Sequence, residues 1–223
     1  VLRSFASMFF AEPETAVLTV AVEDALILDR ASFQILYENQ WADLKRFRGL
    51  VLAGCTALSD AQLGQIRRYV AGGGRLCVIG PLATHDAWMR PRAAPALEDL
   101  PPDRVLRVAH RDEWLRAARW AAGAQGSLSV RVADNRPTPG LCAELTGQPG
   151  RRMLHLVNYR DDGPVEQVHV RLELPPGKRA RGVRLASPEH DADIRLPIAP
   201  EPGAVTFTVP KVNVYEIAVV TLK

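Results

Sequence analysis

The 223-residue sequence has no apolar run approaching the roughly 20 residues of a membrane span. It also has no basic-then-apolar opening of the kind that directs secretion. No membrane partner is expected, and the expected location is the cytoplasm. Cysteine is scarce: Cys55, Cys77 and Cys142 stand far apart with no C-x-x-C pair, so neither a disulfide framework nor a zinc site is expected. Cys77 and Cys142 stand in apolar strand-like runs and are expected in the core; buried thiols are compatible with a reducing cytoplasm and do not exclude secretion. Charge of one sign is missing too. With 28 basic and 25 acidic residues the net charge is +3, and the arginines are scattered beside acids, which argues against a nucleic-acid partner. Aromatics make up 6%, leaving few rings for stacking on a sugar. Of Trp41, Trp88 and Tyr159, most are expected in the core, and Trp88, in a proline-rich loop, is the one expected outside. The chain opens on Val1 rather than Met, as either a trimmed chain or a piece of a longer protein would.

What is present is clearest from Gly49 to Gly80. Leu50-Val51-Leu52-Ala53 is a short continuous apolar run, as in a strand covered on both faces. Ser59 supplies an N-cap oxygen and Gln62 completes a capping box, with Leu58 and Leu63 placed as a hydrophobic staple. Leu63, Ile66 and Val70 recur at helical spacing, and Arg67 and Arg68 suit the negative end of the helix dipole. Gly72-Gly73-Gly74 ends the helix, and so is no phosphate loop, which would precede one. Arg75–Ile79 is the second strand, and the whole reads as a right-handed crossover in a parallel sheet.

Before this unit, residues 2–10 read as a short helix, Thr15–Val22 as a first strand and Phe33–Tyr37 as a second. Only Glu23 to Ser32 lie between those strands, short for a parallel crossover. Either the connecting helix shrinks to a turn or Ala25–Leu28 adds a strand. Ala42–Phe47 reads as a helical turn. Pro81–Leu100 reads as a long loop, Arg104–Val108 as a last strand and Asp112–Ala122 as a helix with Trp114, Leu115, Ala118 and Ala121 as its stripe. Gly123 and Gly126 close a first domain, residues 1–125.

From there to 223 the period becomes 2. Val168, Val170, Leu172 and Leu174 alternate with polar residues, as do Val205, Phe207 and Val209, and then Tyr215, Ile217 and Val219. With strands at Leu128–Val132, Leu141–Leu145, Met153–Asn158 and Gly182–Ser187, seven or eight short strands make residues 126–223 a β-sandwich.

The strand order, the L-S-D-A-Q cap, the Y-V-A-G-G-G-R-L turn and the following loop resemble the middle domain of bacterial β-galactosidase-type glycoside hydrolases. That resemblance implies a flavodoxin-like α/β domain, similar in fold to class I glutamine amidotransferases and serving in trimer assembly. MLHLVNYRDDGPVEQVHVRLELP and TFTVPKVNVYEIAVV are similar to the small β-sandwich that follows it in such enzymes. In the family a catalytic barrel precedes both domains and carries the catalytic carboxylates. An α/β half of this length is too short for a barrel of about 250 residues.

Candidate chemistry is sparse. Amidotransferase relatives use a cysteine on a strand-to-helix turn; here Gly80 or Pro81 stands where it would be. Cys55, in G-C-T-A, lacks the elbow pattern and reads as a packed thiol. His85 and Asp86 sit at the carboxyl edge of the sheet, where open α/β folds bind ligands. With Trp88 they are the candidate ligand-binding residues. His110, Asp112 and Glu113 read as a helix start capped by Asp112, and His190-Asp191-Ala-Asp193 as a polar hairpin turn. No acid stands in a motif that would pair two carboxylates across a cleft. No catalytic residue, metal or cofactor is therefore expected. The reading is an accessory segment that packs against copies of itself or a catalytic barrel of the same protein, with carbohydrate as a possible ligand. The alternatives are a stand-alone hydrolase or transferase near Cys55 and His85, and a sugar-binding module.

Overall fold

A computed structural model of the chain describes residues 1–123, 128–132, 138 and 140–223. It divides into two compact units. One comprises Val1–Ala25 with Phe33–Gln125, the other Leu26–Ser32 with Gly126–Lys223. The expected domain junction at 125/126, with Gly126, lies outside the described residues.

The first unit is built on a parallel sheet of β1 (Gly49–Ala53), β2 (Arg75–Ile79) and β3 (Val105–Val108), side by side in chain order. Leu50 lies opposite Leu76, and Leu76 opposite Val105. Two earlier segments extend the sheet by single parallel bridges, Leu2 to Leu52 and Leu36 to Leu2. Leu2 N donates to Val51 O at 2.9 Å, and Leu36 N to Val1 O at 2.8 Å. Counting these segments as strands, the spatial order is second, first, third, fourth, fifth, which is that of a flavodoxin-like sheet.

This order corrects the expectation for the amino-terminal part. Leu2 belongs to the first strand, and the helix expected over residues 2–10 is only α1 (Phe5–Phe10), capped by Ser4. Thr15–Val22 is not a strand, and neither is Ala25–Leu28; both lie in the 16-residue helix α2 (Pro13–Leu28). Its Val and Thr residues favour strands in isolation, but that preference yields readily to context. Pro13 at the first helical position and Glu14 in the first turn are helix-start signals. The crossover that looked too short is thus of full length. The strand expected at Phe33–Tyr37 is reduced to the bridge at Leu36.

Downstream, expectation and structure agree closely. α3 (Asp60–Ala71) carries the capping box, with Ser59 Oγ accepting from Gln62 N and Gln62 Oε1 accepting from Ser59 N at 2.7 Å. Leu63, Ile66 and Val70 are buried, and Tyr69 joins them. Gly73, at φ 96°, supplies the left-handed turn into β2. α4 (Trp114–Ala122) follows a 3-10 turn, Arg111–Glu113. Asp112 lies inside that turn and makes no cap, and Ala117 replaces Leu115 on the buried stripe.

The second unit is a sandwich of nine strands among the described residues. One sheet runs β10 (Ile198–Glu201), β11 (Ala204–Val212), β7 (Val165–Glu173), β4 (Leu128–Arg131). The other runs β5 (Leu141–Gln148), β6 (Arg151–Asn158), β12 (Tyr215–Leu222), β8 (Ala180–Ala186), β9 (Ile194–Leu196). Every paired neighbour is antiparallel. Val168, Val170, Leu172, Val205, Phe207 and Val209 point inward as expected and meet Leu154, Leu156, Val183 and Leu185 in one core. β12 has the opposite phase from the expected one. Glu216, Ala218 and Val220 are the buried residues, while Tyr215, Ile217 and Val219 face the other side, half-covered. Apolar residues on both faces leave the phase of such a strand open until its neighbours are known.

Candidate functional site: the carboxyl edge of the parallel sheet

In open α/β folds the ligand crevice lies outside the carboxyl ends of the strands where the order reverses. Here that point falls between the first strand and β1. It is lined by Ser4 and Ser7 of α1 and by Gly54 to Ala57 after β1. The chain's own groups fill it. Ser4 Oγ donates to Ala57 O at 2.7 Å, and Ala57 N donates to Ser7 Oγ at 2.8 Å. Both serines and Ala57 are buried. The first turns of α2 cover the neighbouring strand ends: Thr19 Oγ1 donates to Ala53 O at 2.7 Å.

Cys55 sits in this filled crevice and is 1% exposed. Its Sγ lies 3.8 Å from Leu2 O and Ala53 O, and burial pushes the thiol up to about 12. The Val1 amine acts in the opposite direction, but burial outweighs it, and the thiol stays protonated at neutral pH, as a packed thiol does. Cys77 is likewise buried and pushed up to about 12, whereas Cys142, expected in the core, is only half-buried. Gly80, at φ 74°, makes the sharp turn after β2. A Cβ there would stand 2.6 Å from Leu18 Cδ2, so any side chain at this turn would require Leu18 of α2 to shift.

The loop from Pro81 to Leu100 carries His85, Asp86 and Trp88. His85 is fixed by its backbone, which bridges Ala57, and its Nδ1 lies 2.9 Å from Thr84 Oγ1. Asp86 turns away from it. Its Oδ1 accepts from Trp88 N at 2.8 Å and from Arg90 N at 2.9 Å, an Asx-type turn that holds its carboxyl below the usual range. The two are neighbours in sequence without forming an acid–base pair. Trp88, at the tip of this turn, is 81% exposed, while Trp41 is buried and Tyr159 is exposed. Ala83, Met89 and Leu97 all have positive φ, so the loop holds its shape against local preference.

Among the described residues no group of three or more His, Cys, Asp and Glu could hold a metal ion, and no helix is long and apolar enough to cross a membrane. His190 is in the expected turn, and it reaches back to a buried carboxylate. His190 Nε2 lies 3.3 Å from Oε1 of the buried Glu216. No signal in the sequence marks Glu216, since the surrounding alternation assigns it to the solvent side.

No protein-family model matches the sequence, and no curated protein matches it either. Solved structures do. α-L-Fucosidase isoenzyme 2 from Paenibacillus thiaminolyticus superposes with a TM-score of 0.69 at 15% identity, over 97% of this chain and 46% of that one. An apo exo-carrageenase GH42 from Bacteroides ovatus gives 0.60 at 12% identity, over 100% of this chain and 29% of the other. A catalytic mutant of a GH42 β-galactosidase from G. stearothermophilus gives 0.57 at 11% identity, over 99% and 38%. The chain spans less than half the length of each, and at these identities the likeness is one of fold: an α/β unit followed by a β-sandwich, as found within glycoside hydrolases.

Proposed function

We propose that this chain is a non-catalytic accessory and assembly segment of a glycoside hydrolase, acting by packing and self-association. The flavodoxin-like strand order supports descent from an amidotransferase-like scaffold whose reactive position has been closed. One observation carries the reading: the same two helices fill the ligand crevice on one side and offer apolar side chains to solvent on the other. Phe5, Phe9 and Phe10 of α1 are 56%, 67% and 65% exposed, and Val17 and Val20 of α2 are 65% and 41% exposed. The Phe5 ring packs on Phe9 at 4.7 Å and on Phe10 at 5.8 Å, so the rings form a cluster. Burying one such side chain contributes about 1.5–3 kcal/mol. A partner surface, either a second copy or a catalytic barrel of the same protein, would bury several at once.

The non-catalytic half of the reading is tested by incubating the purified chain with chromogenic glycosides and amides. No turnover above buffer is expected. Turnover that disappears on replacing Cys55 or His85 would contradict it.

A further inference from the structure

We propose that the outer face of the four-stranded sheet binds an anionic oligosaccharide, a chain of sugar units bearing sulfate or carboxylate groups. A groove of about 710 Å³ runs over this face, within the ~300–1,000 Å³ usual for small-ligand sites. Strand register builds its floor. One row crosses β4, β7 and β11 as Ser129, Arg171 and Thr206; the next crosses them as Arg131, His169 and Thr208. Alternation along the strands turns Val130, Val170 and Phe207 inward and leaves these six side chains on the outer face.

All six can donate hydrogen bonds, and three are basic types. Arg171 Nε donates to Glu201 Oε2 at 2.9 Å, which fixes its guanidinium at the rim. Arg131 makes no ion pair among the described residues. His169 Nδ1 lies 3.0 Å from Thr208 Oγ1, which orients the ring across the groove. Phe207, the one Phe, Tyr or Trp among the lining residues, is turned into the core, so a neutral sugar that stacks on such a ring finds no platform. Guanidinium forks do match the oxygens of carboxylate and sulfate, and the hydroxyls between them suit sugar hydroxyls. The choice of a saccharide rests on the proposed place in a glycoside hydrolase; the demand for negative charge rests on the groove alone.

The test titrates the full chain calorimetrically with four probes: a sulfated galactan oligosaccharide, a galacturonate oligosaccharide, a neutral galacto-oligosaccharide and sodium sulfate. Amide chemical shifts locate any binding. At least one charged oligosaccharide is expected to bind at sub-millimolar concentration, shifting β4, β7 and β11 and weakening with added salt. Arg131→Ala is expected to weaken it about tenfold, and His169→Gln, a milder change, by a few-fold, with unchanged circular dichroism in both. Binding by neither charged oligosaccharide, equal binding of the neutral one, shifts confined to other strands, or free sulfate binding as tightly as the sulfated chain would each overturn the proposal. Molecular mass measured in the same solutions reads self-association separately. A chain that assembles yet ignores all four probes would refute the groove and leave the assembly reading standing.

Discussion

Glu216 extends from β12 into the sandwich beside Ala218 and Val220, is 2% exposed, and leaves Oε2 without a hydrogen bond. Burial raises its carboxyl above the ordinary 4.5; His190 opposes the rise and Glu189 adds to it. Because the folded chain holds this proton more tightly than the unfolded chain, its contribution is full below about 4.5 and falls as pH climbs through the raised value. Glu216→Gln is therefore expected to melt higher than the parent at pH 8 and no higher at pH 4. A lower melting point for the variant at pH 8 would mean that the ionised carboxylate, paired with His190, stabilises the fold. Cys55 gives a second expectation at this scale. With its thiol pushed up to about 12, it is expected to react with a disulfide reagent at pH 7.5 only on unfolding; labelling within seconds in the native state would reinstate a nucleophile. The character of neither residue could be read in full from the sequence. The missing elbow glycines already spoke against Cys55, but burial of Glu216 depends on which face of β12 meets β6 and β8, a fact of pairing between distant segments.

Among the elements, α3 was legible to the residue because its cap, staple, stripe and glycine stop are all local and all agree. Ser59→Ala removes the acceptor for Gln62 N and leaves Gln62 reaching back alone. A loss of about 1 kcal/mol is expected, read as a fall of roughly 2–4 °C in melting temperature for a chain of this size. No change would mean that the box is dispensable to the helix. α2 was misread for the converse reason. Its polar row, Thr15, Thr19 and Glu23 at four-residue spacing, is buried while Val17 and Val20 are exposed, the reverse of an ordinary surface helix, and its register comes from long-range contacts: Thr19 on Ala53, Leu18 against Gly80, and Glu23 paired in two places with Arg3 of the first strand. The edge strands β9 and β10, short and interrupted by Pro197 and Pro200, escaped notice because proline demotes a strand signal even where an edge tolerates it.

For the whole molecule, the switch of hydrophobic period from 3.6 to 2 was enough to place an α/β unit before a sandwich, since each period demands a different way of covering an apolar face. What the chain does with those units is harder to read, because packing leaves no motif; the groove over β4, β7 and β11 arises only once three distant strands are aligned. On the proposed function, α1 and α2 work through their outward apolar side chains. The most direct test is the mass of the purified chain by size exclusion with light scattering, alongside Phe9→Asp and Val17→Asp variants. A mass that is a multiple of 24.5 kDa is expected for the parent, with a shift toward 24.5 kDa in both variants. A parent that stays at 24.5 kDa at every concentration, or an oligomer untouched by both substitutions, would contradict it.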